Sequence, residues 1–273
     1  MDINEVGSTA FFPSCVRQME QDEARPLFED PFAAWFIDEE ATEQFRRLIH
    51  TYPAIRETAR YRVCVMNETL ERAMADGVKQ VVTLGAGFDM RAQIFRTPGV
   101  RFCDVDQPGV LAFKHKILEA RGVTPCPAIP GNYLELDLPG ELAKISFDLD
   151  APTLFIWEGN TMYLPAELIH DFLDRLRART PSLIVAFDYF SEHIINRTSG
   201  NETMTAATDY FERNFGAKWV TGFDDLSVFE ERNELRIIES GAMLDVCMRH
   251  APESAPALAE WTGLHSYCVL KTS

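Results

Sequence analysis

The sequence predicts one α/β domain with a mainly parallel, Rossmann-like sheet of about seven strands, preceded by a helical N-terminal part. Three observations carry this expectation. Short β-rich runs alternate with amphipathic stretches from Val78 onward. Prolines stand where the intervening helices should begin. A glycine turn, Gly85-Ala86-Gly87, closes the first run.

The chain divides into residues 1–77, 78–190 and 191–273. In the first part, "QFRRLIHTYPAIRETARYRVCVMNETLERAMADG" carries apolar residues at three and four spacing; Pro53 interrupts the helix and Gly77 ends it. In the second part the expected strands are "KQVVTLG", "VRFCDVD", "PTLFIWEG" and "SLIVAFDYF". Between them lie the helices "QPGVLAFKHKILEARG" and "PAELIHDFLDRLRART", with Pro108 and Pro165 near their first turns. In the last part "ELRIIES" and "HSYCVLKT" close the sheet.

Composition narrows the functions. The formal charge of −16 repels phosphate backbones and anionic membranes, so neither nucleic acid nor a membrane is the expected partner. The opening "MDINEVGSTA" has no apolar core of a signal peptide, and no apolar run approaches the ~20 residues of a membrane span. The six cysteines form no C-x-x-C pair and read as reduced and mostly buried, which suits a cytoplasmic protein. The six histidines lack ligand spacing, so no metal is expected. Nothing in the sequence sets an oligomeric state.

Open α/β sheets bind ligands at the carboxyl ends of their strands. The first strand ends in the Gly85-Ala86-Gly87 turn, which brings backbone amides close to a ligand. The second ends in Asp104-Val105-Asp106, about 20 residues on, where an acid takes the hydroxyls of a ribose. The two acids share a face, so alternation does not choose between them. Further on come Asp137 and Leu138 in "LELDLP", then Glu158 after Trp157. Met90 stands where a dinucleotide fold needs its third glycine, which argues against NAD or FAD. S-Adenosylmethionine has no pyrophosphate and is the better guest. Its amino-acid end would lie over Gly85 to Gly87, its ribose on the strand-two acid and its adenine near Asp137 and Leu138.

The motifs "LGAGFDMR", "FCDVDQPGVLAFKHKIL", "LFIWEGNTMYLP" and "VAFDYF", with "VGSTAFFPSCVRQME" and "PLFEDPFAAWFI" before them, resemble the leucine carboxyl methyltransferase family. That family includes protein phosphatase methyltransferases and bacterial O-methyltransferases of secondary metabolism. The resemblance runs from about Val6 to Tyr189 and fades after Ser191. It implies a class I S-adenosylmethionine-dependent methyltransferase sheet, with the N-terminal helices and a late insert forming a substrate lid. It also implies that Arg60 pairs with the cofactor carboxylate, with Arg62 as its rival two residues away. Gly85 would be the first loop glycine, Asp106 the ribose acid, Asp137 and Leu138 the adenine contacts and Glu158 an acceptor for the cofactor ammonium. Two departures are Asp89-Met90-Arg91 for the usual Asp-Thr-Arg, and Asp104-Val105-Asp106 for the common Glu-Val-Asp.

Methyl transfer from a sulfonium is an in-line displacement. A carboxylate acceptor is already ionised at pH 7, whereas a phenol benefits from a base. His193, just past the fifth strand, is the best candidate base; Arg17, Tyr163 and Tyr189 are candidates to face a small-molecule substrate. The expected activity is O-methylation of a carboxylate on a metabolite or natural product. The alternatives are a phenol or hydroxyl acceptor, a nucleotide-cofactor oxidoreductase, and a non-catalytic nucleoside-binding protein.

Overall fold

The computed structural model describes residues 11–37 and 39–272, so the acidic opening decapeptide lies outside the described residues. The N-terminal part forms α1 (Phe11–Glu20), a 3₁₀ turn (Ala33–Phe36), α2 (Glu39–Thr51) and α3 (Pro53–Ala75). Pro53 starts α3 at its first position, where its missing N–H costs no bond, and so separates α2 from α3. The core then runs β1 (Gln80–Leu84), α4 (Arg91–Ile94), β2 (Arg101–Asp106), α5 (Pro108–Ala120), β3 (Ala128–Pro130), α6 (Leu138–Lys144), β4 (Thr153–Trp157), α7 (Ala166–Arg177) and β5 (Leu183–Phe190). The last part supplies α8 (Glu192–Ile195), α9 (Glu202–Phe215), α10 (Ser227–Glu231), β6 (Leu235–Ala242), α11 (Met243–His250), α12 (Ala255–Thr262) and β7 (His265–Thr272).

The seven strands form one sheet in the order β3-β2-β1-β4-β5-β7-β6. The pairs among β1 to β5 are parallel, and β7 runs antiparallel between β5 and β6. Alternation along the central strands explains its two cores. Val82, Leu84, Phe155 and Trp157 face one layer, whereas Val81, Leu154 and Ile156 face the layer that holds Tyr61 and Met66 of α3. A third, aromatic cluster joins the N-terminal part to the late insert: the Phe45 ring stacks on Phe215 at 4.7 Å and lies 5.3 Å from Phe12. These two chain segments therefore meet over the same end of the sheet.

β3 departs from the sequence expectation. It spans only Ala128–Pro130, too short to show a period, and Asp137 and Leu138 fall on the start of α6 instead of a strand end. All six cysteines are unpaired and Cys126 alone of them is partly exposed. Among the described residues no helix is long and apolar enough to cross a membrane.

Candidate functional site

A cavity of about 450 Å³ opens at the carboxyl ends of β1, β2 and β4, where β1 sits between strands that lead the chain in opposite directions. Gly85 holds φ +60°, and a Cβ built on it would stand 2.5 Å from Oδ1 of Asn160. Only glycine fits both the conformation and the space. Asn160 Nδ2 donates to the Glu158 carbonyl at 2.8 Å and to the Leu84 carbonyl at 3.4 Å, so the ends of β1 and β4 touch at this point. On the other side Asp106 accepts from the backbone N–H of Gly87 and of Gln107, each at 2.6 Å. Burial raises the Asp106 carboxyl above its usual range against the pull of those amides. Asp104 instead pairs with buried Lys114 at 2.6 Å and is absent from the cavity wall. Of the two acids, only Asp106 faces the cavity.

Beyond the glycine turn lies a buried charge cluster. Glu158 faces three guanidinium groups, Arg91 at 2.6 Å, Arg62 at 3.2 Å and Arg17 at 3.5 Å. Burial alone would raise its carboxyl; Arg91, Arg17 and Arg62 override that and hold it far below the carboxylate range. Asp89 takes a second bond from Arg91 and one from Arg17 at 3.3 Å. Arg62 reaches onward to Asp188 at 3.6 Å.

Asp188, fully buried in β5, accepts from the Gly159 N–H at 2.6 Å and from His265 Nε2 at 2.9 Å. A carboxylate only accepts, so Nε2 carries the ring proton and Nδ1 is left as an acceptor; among the described residues no protein group fills it. His265 belongs to the cavity wall. Burial lowers its pKa, opposed by Asp188, so the ring is neutral at pH 7. Phe12, Ile55, Met204, Phe211 and Trp219 line the apolar remainder of the cavity, drawn from the N-terminal part and the late insert.

The structure thus gathers Gly85, Ala86, Gly87, Asp106, Glu158, Arg17 and Tyr163 around one cavity. The other sequence-expected residues stand elsewhere. Arg60 is turned away and bound to Glu20 and Glu57, its Nη1 donating to Glu57 at 2.7 Å; Arg62 is the one on the cavity wall. Two residues along a helix are about 200° apart, so α3 can present only one of them. Asp137 caps α6 by accepting from Gly140 N–H at 3.3 Å, with its side chain 66% exposed, and Leu138 is buried in the core. Asn132, Tyr133 and Leu134 occupy the cavity wall there. Tyr189 alternates away from Asp188 and packs on Phe187 and Phe223. His193 is exposed on a one-turn helix, its Nδ1 3.0 Å from Thr198 Oγ1. The motif reading missed His265 and Asp188; the available signal was an acid inside the apolar run "VAFDYF".

Residues 10–177 match the sequence model of the leucine carboxyl methyltransferase family. A chain of Frankia alni, named as a candidate S-adenosyl-L-methionine-dependent methyltransferase, is 36% identical over 188 residues, 63% of this chain and 64% of that one. A similarly named chain of Streptomyces coelicolor is 34% identical over 193 residues, 65% and 66% of the two chains. The match therefore spans just under two thirds of the length of these curated relatives. Among solved structures, a DUF574 family protein from Streptomyces avermitilis superposes with a TM-score of 0.69 at 14% identity, covering 99% of both chains. Magnesium protoporphyrin IX methyltransferase of Synechocystis, with bound S-adenosylhomocysteine, superposes at 0.52 with 11% identity, covering 86% of this chain and 95% of that one. These likenesses support the fold.

Proposed function

The chain belongs to the leucine carboxyl methyltransferase family, and from that premise we propose that it is an S-adenosylmethionine-dependent O-methyltransferase acting on a small molecule. One observation carries the reading: the Gly85–Gly87 turn, the Asp106 carboxylate and Glu158 with Arg17 and Arg62 share a single cavity at the strand ends. The residues present fit the cofactor. Asp106 would accept from the ribose hydroxyls, the turn would leave room for the amino-acid end, and Arg62 or Arg17 would take its carboxylate. Glu158 would accept from the ammonium. Asn132 to Leu134 stand where the adenine would lie. The bound cofactor supplies an electrophilic methyl group on a sulfonium. The chain's part is to align the acceptor oxygen and exclude water, for which the apolar half of the cavity is suited.

The proposed acceptor is a carboxylate on an apolar small molecule, giving a methyl ester. The family supports it, as does the second cavity arginine, whichever of Arg17 and Arg62 the cofactor carboxylate leaves over. A second reading, a phenol or other weakly acidic hydroxyl, is favoured by one observation, the neutral His265 held by Asp188 on the cavity wall. That imidazole would take the hydroxyl proton at Nδ1. The test is a panel of aromatic carboxylic acids and phenols with methyl-labelled cofactor. Label released as methanol by mild alkali identifies an ester; an alkali-stable methyl group overturns the carboxylate reading. A carboxylate acceptor gives a nearly flat rate from about pH 6 to 9, and a hydroxyl acceptor a rate rising with pH.

A further inference from the structure

We propose that Cys64, Glu68 and His250 form a binding site for a zinc-like divalent cation, clamping α3 to the end of α11. None of the three lines the cavity, so the site is separate from the proposed methyl-transfer chemistry. Cys64 and Glu68 are four residues apart and share one face of α3; His250 is the last residue of α11. Their ligand atoms converge. Cys64 Sγ lies 3.7 Å from Glu68 Oε1 and 3.7 Å from His250 Nε2, and Oε1 lies 2.7 Å from Nε2.

Thiolate, imidazole and carboxylate are the donor types that zinc takes. Bond lengths of ~2.3 Å to sulfur and ~2.0 Å to nitrogen and oxygen, at tetrahedral angles, set S–N and S–O edges of about 3.6 Å and an N–O edge of about 3.3 Å. Two observed edges already match. The third, now the Glu68–His250 contact, must open by about 0.6 Å, and both side chains have solvent around them to allow it. Cys64 is buried and forms the floor, while Glu68 and His250 leave an entry from solvent. Arg249 donates to the other carboxylate oxygen, Oε2, at 2.9 Å, which leaves Oε1 as the single donor to the ion. Three side chains leave a fourth position for water. Binding releases the thiol proton, so affinity should rise with pH. Motif spacing gave no sign of the site because its ligands come from helices 186 positions apart in the chain.

The test uses the full chain, stripped with a chelator and titrated with cobalt(II) as the spectroscopic probe. A near-ultraviolet thiolate-to-cobalt band saturating at one equivalent, bleached by zinc, is expected. Zinc should also raise Tm. Glu68→Gln and His250→Ala should each weaken binding about tenfold or more. Both residues are partly exposed, and circular dichroism confirms that the variants fold. Cys64→Ser should abolish the band. No band in the unmodified chain, the same band in Cys64→Ser, or unchanged affinity in Glu68→Gln and His250→Ala would show an ion-pair cluster only and overturn the proposal.

Discussion

Replacing Glu158 by glutamine keeps the shape of the side chain and removes its charge. The substitution leaves Arg17, Arg62 and Arg91, all nearly buried, without their common partner. Breaking a buried ion pair by removing one side costs about 3–5 kcal/mol. The structure points to the lower end. Arg17 and Arg91 keep Asp89, and Arg62 keeps Asp188 at 3.6 Å, so no guanidinium is wholly abandoned. The expected loss is about 3 kcal/mol, a large part of the ~5–15 kcal/mol typical of a folded domain. Urea unfolding monitored by circular dichroism measures it, with Glu253→Gln at an exposed position as control. The pH dependence follows from the depressed carboxyl. Its contribution is present above the unfolded value of 4.5 and is lost as pH falls through the lower folded value, so Glu158→Gln should lose less stability in acid than the unmodified chain. A cost below about 1 kcal/mol, or an unchanged acid limb, would refute the view that Glu158 holds the arginines together.

Other substitutions separate the roles of neighbouring residues. Asp106→Ala should cost about 2–3 kcal/mol of affinity for S-adenosylhomocysteine in a titration, whereas Asp104→Ala should spare affinity and cost about 3 kcal/mol of stability by leaving buried Lys114 with the Asp89 carbonyl but no paired carboxylate. Arg62→Ala should weaken S-adenosylhomocysteine but not adenosine, which lacks the carboxylate; Arg60→Ala should affect neither ligand and should destabilise the fold, since Glu20 is fully buried. His265 has a folded pKa below its unfolded 6.5, so the unfolded chain takes up a proton that the folded chain refuses. Stability should therefore decline as pH falls from about 6.5 toward the lower folded value, and His265→Gln should flatten that slope in pH-dependent melting.

The sheet was legible because the central strands are buried on both faces and the flanking helices start at prolines. The places of the Gly85–Gly87 turn, Asp106 and Glu158 on the cavity wall were legible because each ends a strand whose position was already fixed. Arg60 and Arg62 were not separable. Residues 58–66 of α3 are buried all round, so its apolar pattern has no phase to tell one side from another. Asp137 was misplaced because β3 is three residues long and bounded by proline, too short for alternation to register. The Asp188–His265 pair joins residues 77 apart and exists only once β7 is paired against β5.

Calorimetric titration of the full chain with S-adenosylhomocysteine, set against NAD, tests the central claim most directly. Saturable one-to-one binding of S-adenosylhomocysteine, weakened by Asp106→Ala, is expected. No binding of NAD is expected, because Met90 is buried where a pyrophosphate fold needs glycine. Binding of NAD without binding of S-adenosylhomocysteine would contradict the claim.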